Sequence, residues 1–234
     1  MTPFLAELIG TAVLITLGLS VVANIALEKT KGNNAGLIVV AFGWAVAVFV
    51  GVFISADISG AHLNPAVTIA LAVTGDFEWA LVPEYLLAQF LGAFIGSILT
   101  WLAYKDHFDS TKDPASILGV FSTGPAIRKP FQNILTEAIA TFIFMLSVFY
   151  IHKGELKLGS IDALPVSLLV LGIGLSVGGP TGYAINPARD LGPRIIHAFL
   201  PIPHKGPSDW KYALVPVVGP ILGAVLAAIL HGLL

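Results

Sequence analysis

The sequence predicts an all-α membrane protein: six transmembrane helices plus two half-spanning helices in an inverted repeat. Three observations carry that prediction. The 234 residues are 56% hydrophobic and only 11% charged, with a mean hydropathy of +0.88, whereas soluble domains carry about 25% charged residues. Apolar runs long enough to cross a hydrocarbon core of ~30 Å recur along the chain. A nine-residue block in the first half, Ser59-Gly-Ala-His-Leu-Asn-Pro-Ala-Val67, returns in the second as Thr181-Gly-Tyr-Ala-Ile-Asn-Pro-Ala-Arg189.

Six runs read as spans, at about 4–27, 36–56, 82–104, 131–151, 163–178 and 211–231. Met1-Thr-Pro-Phe carries no basic n-region, so the first run is expected to stay as a span. Polar breaks at 28–34, 105–129 and 152–157 separate the spans. Two apolar segments are too short to cross, 65–74 and 187–200. Ten helical residues reach about 15 Å, half a bilayer. Each short segment starts at Asn-Pro, where Asn caps the helix and Pro occupies the first turn at no cost in hydrogen bonds. Irregular backbone at that depth is tolerated only inside protein or beside a water-filled cavity, so the segments point to a pore or a buried site.

The repeat extends beyond the boxes. Ala6-Glu-Leu-Ile-Gly-Thr11 opens span one and Thr136-Glu-Ala-Ile-Ala-Thr141 opens span four. The run from Glu84 to Gly92 in span three matches that from Lys211 to Gly219 in span six, and each has a further glycine four residues on, Gly96 and Gly223. Three spans per half force the halves into opposite orientations, and the shared site of such a repeat lies near the midplane. The chain is thus one transmembrane domain, 1–234, with repeat one at about 1–105, repeat two at about 130–234 and a linker at about 106–129.

Two Asn-Pro-Ala boxes in a six-span inverted repeat resemble the aquaporin (major intrinsic protein) family, and Asn186-Pro-Ala-Arg-Asp190 resembles its bacterial glycerol-facilitator branch. The resemblance implies the aquaporin fold in the cell membrane as a multi-pass homotetramer, with one pore per subunit. It implies a passive channel for glycerol and other small uncharged solutes along with water, excluding ions and protons. Two half-helices would aim their N-termini at the pore centre, where free N–H groups and summed dipoles create a positive potential. The boxes are Asn64, Pro65 and Ala66, and Asn186, Pro187 and Ala188; the two Asn amides offer donors to a passing oxygen.

The resemblance also implies an outer selectivity filter. Arg189 stands where the first half-helix carries Val67, and a charge at membrane depth costs roughly 2.5–3.5 kcal/mol, which marks it as functional. Trp44 and Tyr183 supply two aromatic faces opposite it, carbon skeleton against the rings and hydroxyls toward the guanidinium. Span five, Gly172-Ile-Gly-Leu-Ser-Val-Gly-Gly-Pro180, carries no His, which favours a wide hole; Leu175 is taken as its wall.

Glu7 and Glu137, at equivalent places in spans one and four, are expected to accept N–H groups of the irregular segments. Those segments should turn the carbonyls of Gly60, Ala61, His62, Gly182 and Ala184 into the pore, and Asp190 should support an outer loop. The Gly92/Gly96 and Gly219/Gly223 pairs have the spacing of close helix contacts, expected within one subunit. The family topology places both termini in the cytoplasm, although the lysines and arginines of the linker and the 28–34 loop would by themselves favour the reverse.

Other classes share parts of this pattern. A channel used mainly for water, undissociated lactic acid, hydrogen peroxide, urea or dihydroxyacetone fits the same architecture, and a secondary transporter also uses inverted repeats, with Glu7 and Glu137 as proton relays. An enzyme lacks support, since no nucleophile–base pair, metal cluster or phosphate loop is evident. No cofactor or metal is called for, there is no cysteine, and a net charge of −2 argues against nucleic acid. The partners expected are small neutral solutes and membrane lipid.

Overall fold

The computed structural model describes residues 1–151 and 162–234. The polar break at 152–157 lies outside the described residues. Among the described residues ten α-helices follow in order: α1 (Pro3–Ala26), α2 (Leu37–Ser59), α3 (Pro65–Thr74), α4 (Val82–Ala103), α5 (Lys105–Ser110), α6 (Pro114–Phe121), α7 (Pro130–Ile151), α8 (Leu164–Val177), α9 (Pro187–Phe199) and α10 (Val215–Leu233). Helices α1, α2, α4, α7 and α10 are long and apolar enough to cross a membrane. Helix α8, with 14 residues, reaches about 21 Å and completes the six.

The packing repeats as the sequence does. Helix α1 packs on α2 and α4, and α7 packs on α8 and α10. Each half-helix crosses to the other repeat, α3 onto α10 and α9 onto α4, while α2 meets α8. The glycine pairs permit this closeness. A Cβ at Gly92 would lie 2.4 Å from the carbonyl oxygen of Leu8, and one at Gly96 2.7 Å from that of Ala12. At Gly223 the corresponding distance to the Ala138 oxygen is 2.1 Å. These pairs therefore sit inside one protomer, as their spacing predicts.

The linker is not a plain polar loop. Helices α5 and α6 occupy it, and Ile117, Val120 and Phe121 of α6 are fully buried against α1 and α9. Asp113 caps α6, accepting from the N–H groups of Ala115 and Ser116. The Ser116 hydroxyl and these N–H groups hold the Asp113 carboxyl below its ordinary range.

Candidate functional site: a two-sided lumen between the repeats

Both half-helices start at the residue that the Asn-Pro signal names. Asn64 Oδ1 accepts from the N–H of Ala66 at 2.8 Å, and Asn186 Oδ1 accepts from Ala188 and Arg189 at 3.0 and 3.2 Å. Their amide nitrogens do something the sequence did not disclose. Asn64 Nδ2 donates to the carbonyl of Ile185 at 2.9 Å, and Asn186 Nδ2 donates to that of Leu63 at 2.8 Å. The tips are tied together crosswise. A side-chain amide has two N–H groups, so each Asn retains one for a passing oxygen.

The segments entering the half-helices are strained in matching ways. Gly60, Ala61 and Leu63 have φ of 79°, 50° and 50°; Gly182, Tyr183 and Ile185 have 83°, 39° and 46°. Glycine tolerates that region, but a β-branched residue such as Ile185 is an outlier there and costs of order 1–3 kcal/mol. Two buried carboxylates compensate. Glu7 accepts from the N–H groups of His62 (2.9 Å) and Leu63 (2.7 Å), from the Ser59 hydroxyl and from the Gln89 amide. Glu137 accepts from the N–H groups of Ala184 (3.1 Å) and Ile185 (2.9 Å). With these N–H groups engaged on one side, the carbonyl edge is left to the other.

That other side is a cavity of about 1120 Å³. Residues 60–64 and 183–186 line one of its edges. Trp44, Val48, Val52 and Ala56 line another, spaced four apart on α2, so they form one stripe about 18 Å long. Val166 and Val170 of α8 and Phe144 and Val148 of α7 extend the apolar wall. Among the carbonyls expected in the lumen, those of residues 60, 61, 62 and 184 belong to lining residues. Gly182 does not line the cavity; its N–H donates to Gly178 O at 2.8 Å, and Thr123 packs on its Cα. His62 is held as part of the wall, with Nδ1 3.1 Å from Thr68 Oγ1 and its ring against Phe77 and Tyr85.

Trp44, Tyr183 and Arg189 meet at one end of the cavity, each at most 8% exposed. The Arg189 guanidinium carbon lies 3.9 Å from the Trp44 ring centroid. The arginine thus rests on the indole face instead of standing across from it, a cation–π contact worth about 0.5–2 kcal/mol. Gly18 makes room for that indole, since a Cβ there would fall 2.3 Å from the ring. Arg189 Nη1, Trp44 Nε1 and the Tyr183 hydroxyl have no hydrogen-bond partner among the described residues.

Leu175 is not the fourth wall. Its side chain is 49% exposed on the outer face of α8 and does not line the cavity. Gly174, one residue earlier, faces Tyr183: a Cβ there would lie 2.9 Å from Tyr183 Cζ. One residue rotates the helix face by about 100°, enough to turn a side chain from the core to the outside.

The Arg189 end is braced by a residue that sequence reasoning passed over. Arg194 and Asp190 form an ion pair at 2.8 Å with both side chains at 0% exposure. Arg194 also donates to the carbonyls of Ser208, Asp209 and Thr123, while Asp190 accepts from the N–H and hydroxyl of Thr123, both at 2.6 Å. Asp190 therefore supports the loop at Thr123. The available signal was a second arginine four residues after Asp190, one helical turn along the same face. Gln89 was also missed; fully buried, it joins Glu7 to Thr68.

A two-sided lumen enclosed by spans and two facing half-helices defines a multi-pass membrane channel. The chain belongs to the major intrinsic protein family, whose model matches residues 1–231. It is 54% identical to a probable glycerol uptake facilitator protein of Thermotoga maritima, over 94% of each chain. It is 51% identical to the glycerol uptake facilitator protein of Streptococcus pneumoniae, again over 94% of each. Among solved structures, the aquaglyceroporin from Plasmodium falciparum superimposes with a TM-score of 0.86 at 31% identity, covering 98% of this chain and 94% of that one.

Proposed function

We propose that this protein conducts glycerol and other small uncharged solutes passively across the cell membrane, together with water, and excludes ions and protons. The observation that carries this reading is the two-sided lumen: a carbonyl and amide edge from residues 60–64 and 183–186 facing the apolar stripe Trp44–Val48–Val52–Ala56. A polyol has the same two-sidedness, hydroxyls along one edge and C–H groups along the other. The names of the relatives in Thermotoga and Streptococcus point to the same solute.

Exclusion follows from the sign of the field. Two helix N-termini, each equivalent to roughly half a positive charge, meet at the Asn64/Asn186 pair and repel cations. Trp44, Tyr183 and Arg189 form the outer constriction in this reading, with Gly174 behind the Tyr183 ring, and Arg189 adds a full positive charge there. An anion meets the apolar stripe, which offers it nothing in exchange for its hydration shell. At the midpoint, a water whose oxygen accepts from both amides has no lone pair left for a neighbouring water; it can only donate, and the proton wire is broken there. We further assign the homotetramer with one pore per subunit and cytoplasmic termini, on family resemblance. Exposed Phe42 and Val46 on α2 suit lipid or a neighbouring copy.

Stopped-flow light scattering of reconstituted vesicles, challenged in turn with sucrose, glycerol, urea and lactic acid at low pH, tests the reading. Fast water efflux followed by glycerol re-entry is expected. A protein fast for water and closed to glycerol would contradict it.

A further inference from the structure

Tyr183 reaches the outer end of the lumen by an unusual route. The chain leaves α8 at Gly178 and folds back on itself, with the N–H of Gly182 donating to Gly178 O at 2.8 Å. This return turn brings the Tyr183 ring against the end of α8. Two glycines one turn apart receive it. A Cβ at Gly174 would lie 2.9 Å from Tyr183 Cζ and 3.1 Å from its hydroxyl; one at Gly178 would lie 2.4 Å from the Gly174 carbonyl oxygen, 2.6 Å from Tyr183 Cδ1 and 3.0 Å from Cε1. Gly178 has φ of −72° and ψ of −26°, ordinary helical values that any residue adopts. The dihedral angles do not require glycine there; space does, since the Gly174 carbonyl and the Tyr183 ring both crowd the place of a Cβ.

We propose that Gly174 and Gly178 form a seat that sets the position of Tyr183, and that Gly178, itself outside the lumen, is thereby a specificity-determining residue of the pore. The inference rests on the reading of Tyr183 as a wall of the outer constriction. Carbon atoms settle at about 3.5–4.0 Å, so a methyl at 178 forces the ring to retreat by roughly 1 Å. Helix α8 blocks one direction. The free direction is the lumen that Tyr183 lines with Arg189 and Trp44. An outward step of that size narrows the path for a three-carbon polyol more than for water.

The test is the ratio of glycerol to water permeability in vesicles containing the full-length protein. G178A should lower glycerol permeability roughly tenfold while water falls by no more than about twofold, consistent with the cost of overpacking a filled site. G174A presses on the tip of the same ring and should act likewise, which decides the matter if G178A does not assemble. Removing the ring should undo the effect: G178A/Y183L should conduct glycerol at least as fast as the wild type. An unchanged ratio in both glycine variants overturns the inference, as does a double variant no faster than G178A. A wild-type protein closed to glycerol overturns it together with the whole filter reading, whereas an open wild type with indifferent glycine variants overturns this inference alone.

Discussion

Replacing Glu137 by Gln separates a scaffold from a proton relay. The carboxylate accepts from the N–H groups of Ala184 and Ile185 at 3.1 and 2.9 Å and is fully buried. Gln keeps one acceptor oxygen but turns an NH₂ group toward a backbone N–H, setting two donors face to face. Hydrogen bonds to a charged group contribute about 1.5–3 kcal/mol, and leaving a buried donor unpaired costs about 1–3. The bond also holds Ile185 at its strained φ of 46°. Together these place the loss at roughly 2–4 kcal/mol, or about 5–15 °C in melting temperature for a chain of this size. The assay pairs a thermal melt in detergent with glycerol flux from pH 5 to 8. The scaffold account expects a lowered melting point and flux that falls equally at all pH values. A Glu137→Gln protein that melts like the wild type but loses a pH-dependent component of flux would refute it and favour the relay.

Three other expectations follow from the same geometry. Arg194→Ala leaves Asp190 as an uncompensated buried charge, so it should cost about 3–5 kcal/mol; Arg194→Lys, which keeps the charge but not the planar fork, should fall between, as thermal melts will show. Leu175→Ala trims an outward-facing side chain and should leave the glycerol-to-water ratio of vesicle permeabilities unchanged, which a shift of more than about twofold would contradict; surface changes stay within roughly 0.5 kcal/mol. With no cysteine in the chain, mercurial reagents should leave vesicle permeability intact, and strong reversible block of the purified protein would argue against a pore built this way.

The parts of the architecture that show in the sequence are those encoded by side-chain pattern. Asn-Pro marked the starts of α3 and α9 because capping and first-turn geometry are local. The paired Glu7 and Glu137 marked the anchors because an acid inside a span demands donors. The glycine pairs at 92/96 and 219/223 marked close helix contacts for the same kind of reason: their spacing puts both on one helix face. What stayed hidden acts through backbone or through missing atoms. Leu63 and Ile185 tie the two Asn side chains together by their carbonyls, and no apolar side chain announces that. Gly174 borders Tyr183 because it has no side chain at all, so the eye falls on the neighbouring Leu175, whose phase on the helix turns it outward. Gly182 shares a motif with lining residues but is drawn back by its bond to Gly178. Helix α6 is only 8 residues long, too short for a periodic signal, and its burial depends on α1 and α9.

The central claim is a passive path through a two-sided lumen, and the dependence of glycerol flux on concentration and on imposed gradients tests it most directly. In proteoliposomes, flux should rise in proportion to the glycerol gradient and be indifferent to a proton or sodium gradient of either sign. Flux that saturates sharply, or that an ion gradient drives uphill, would contradict the account.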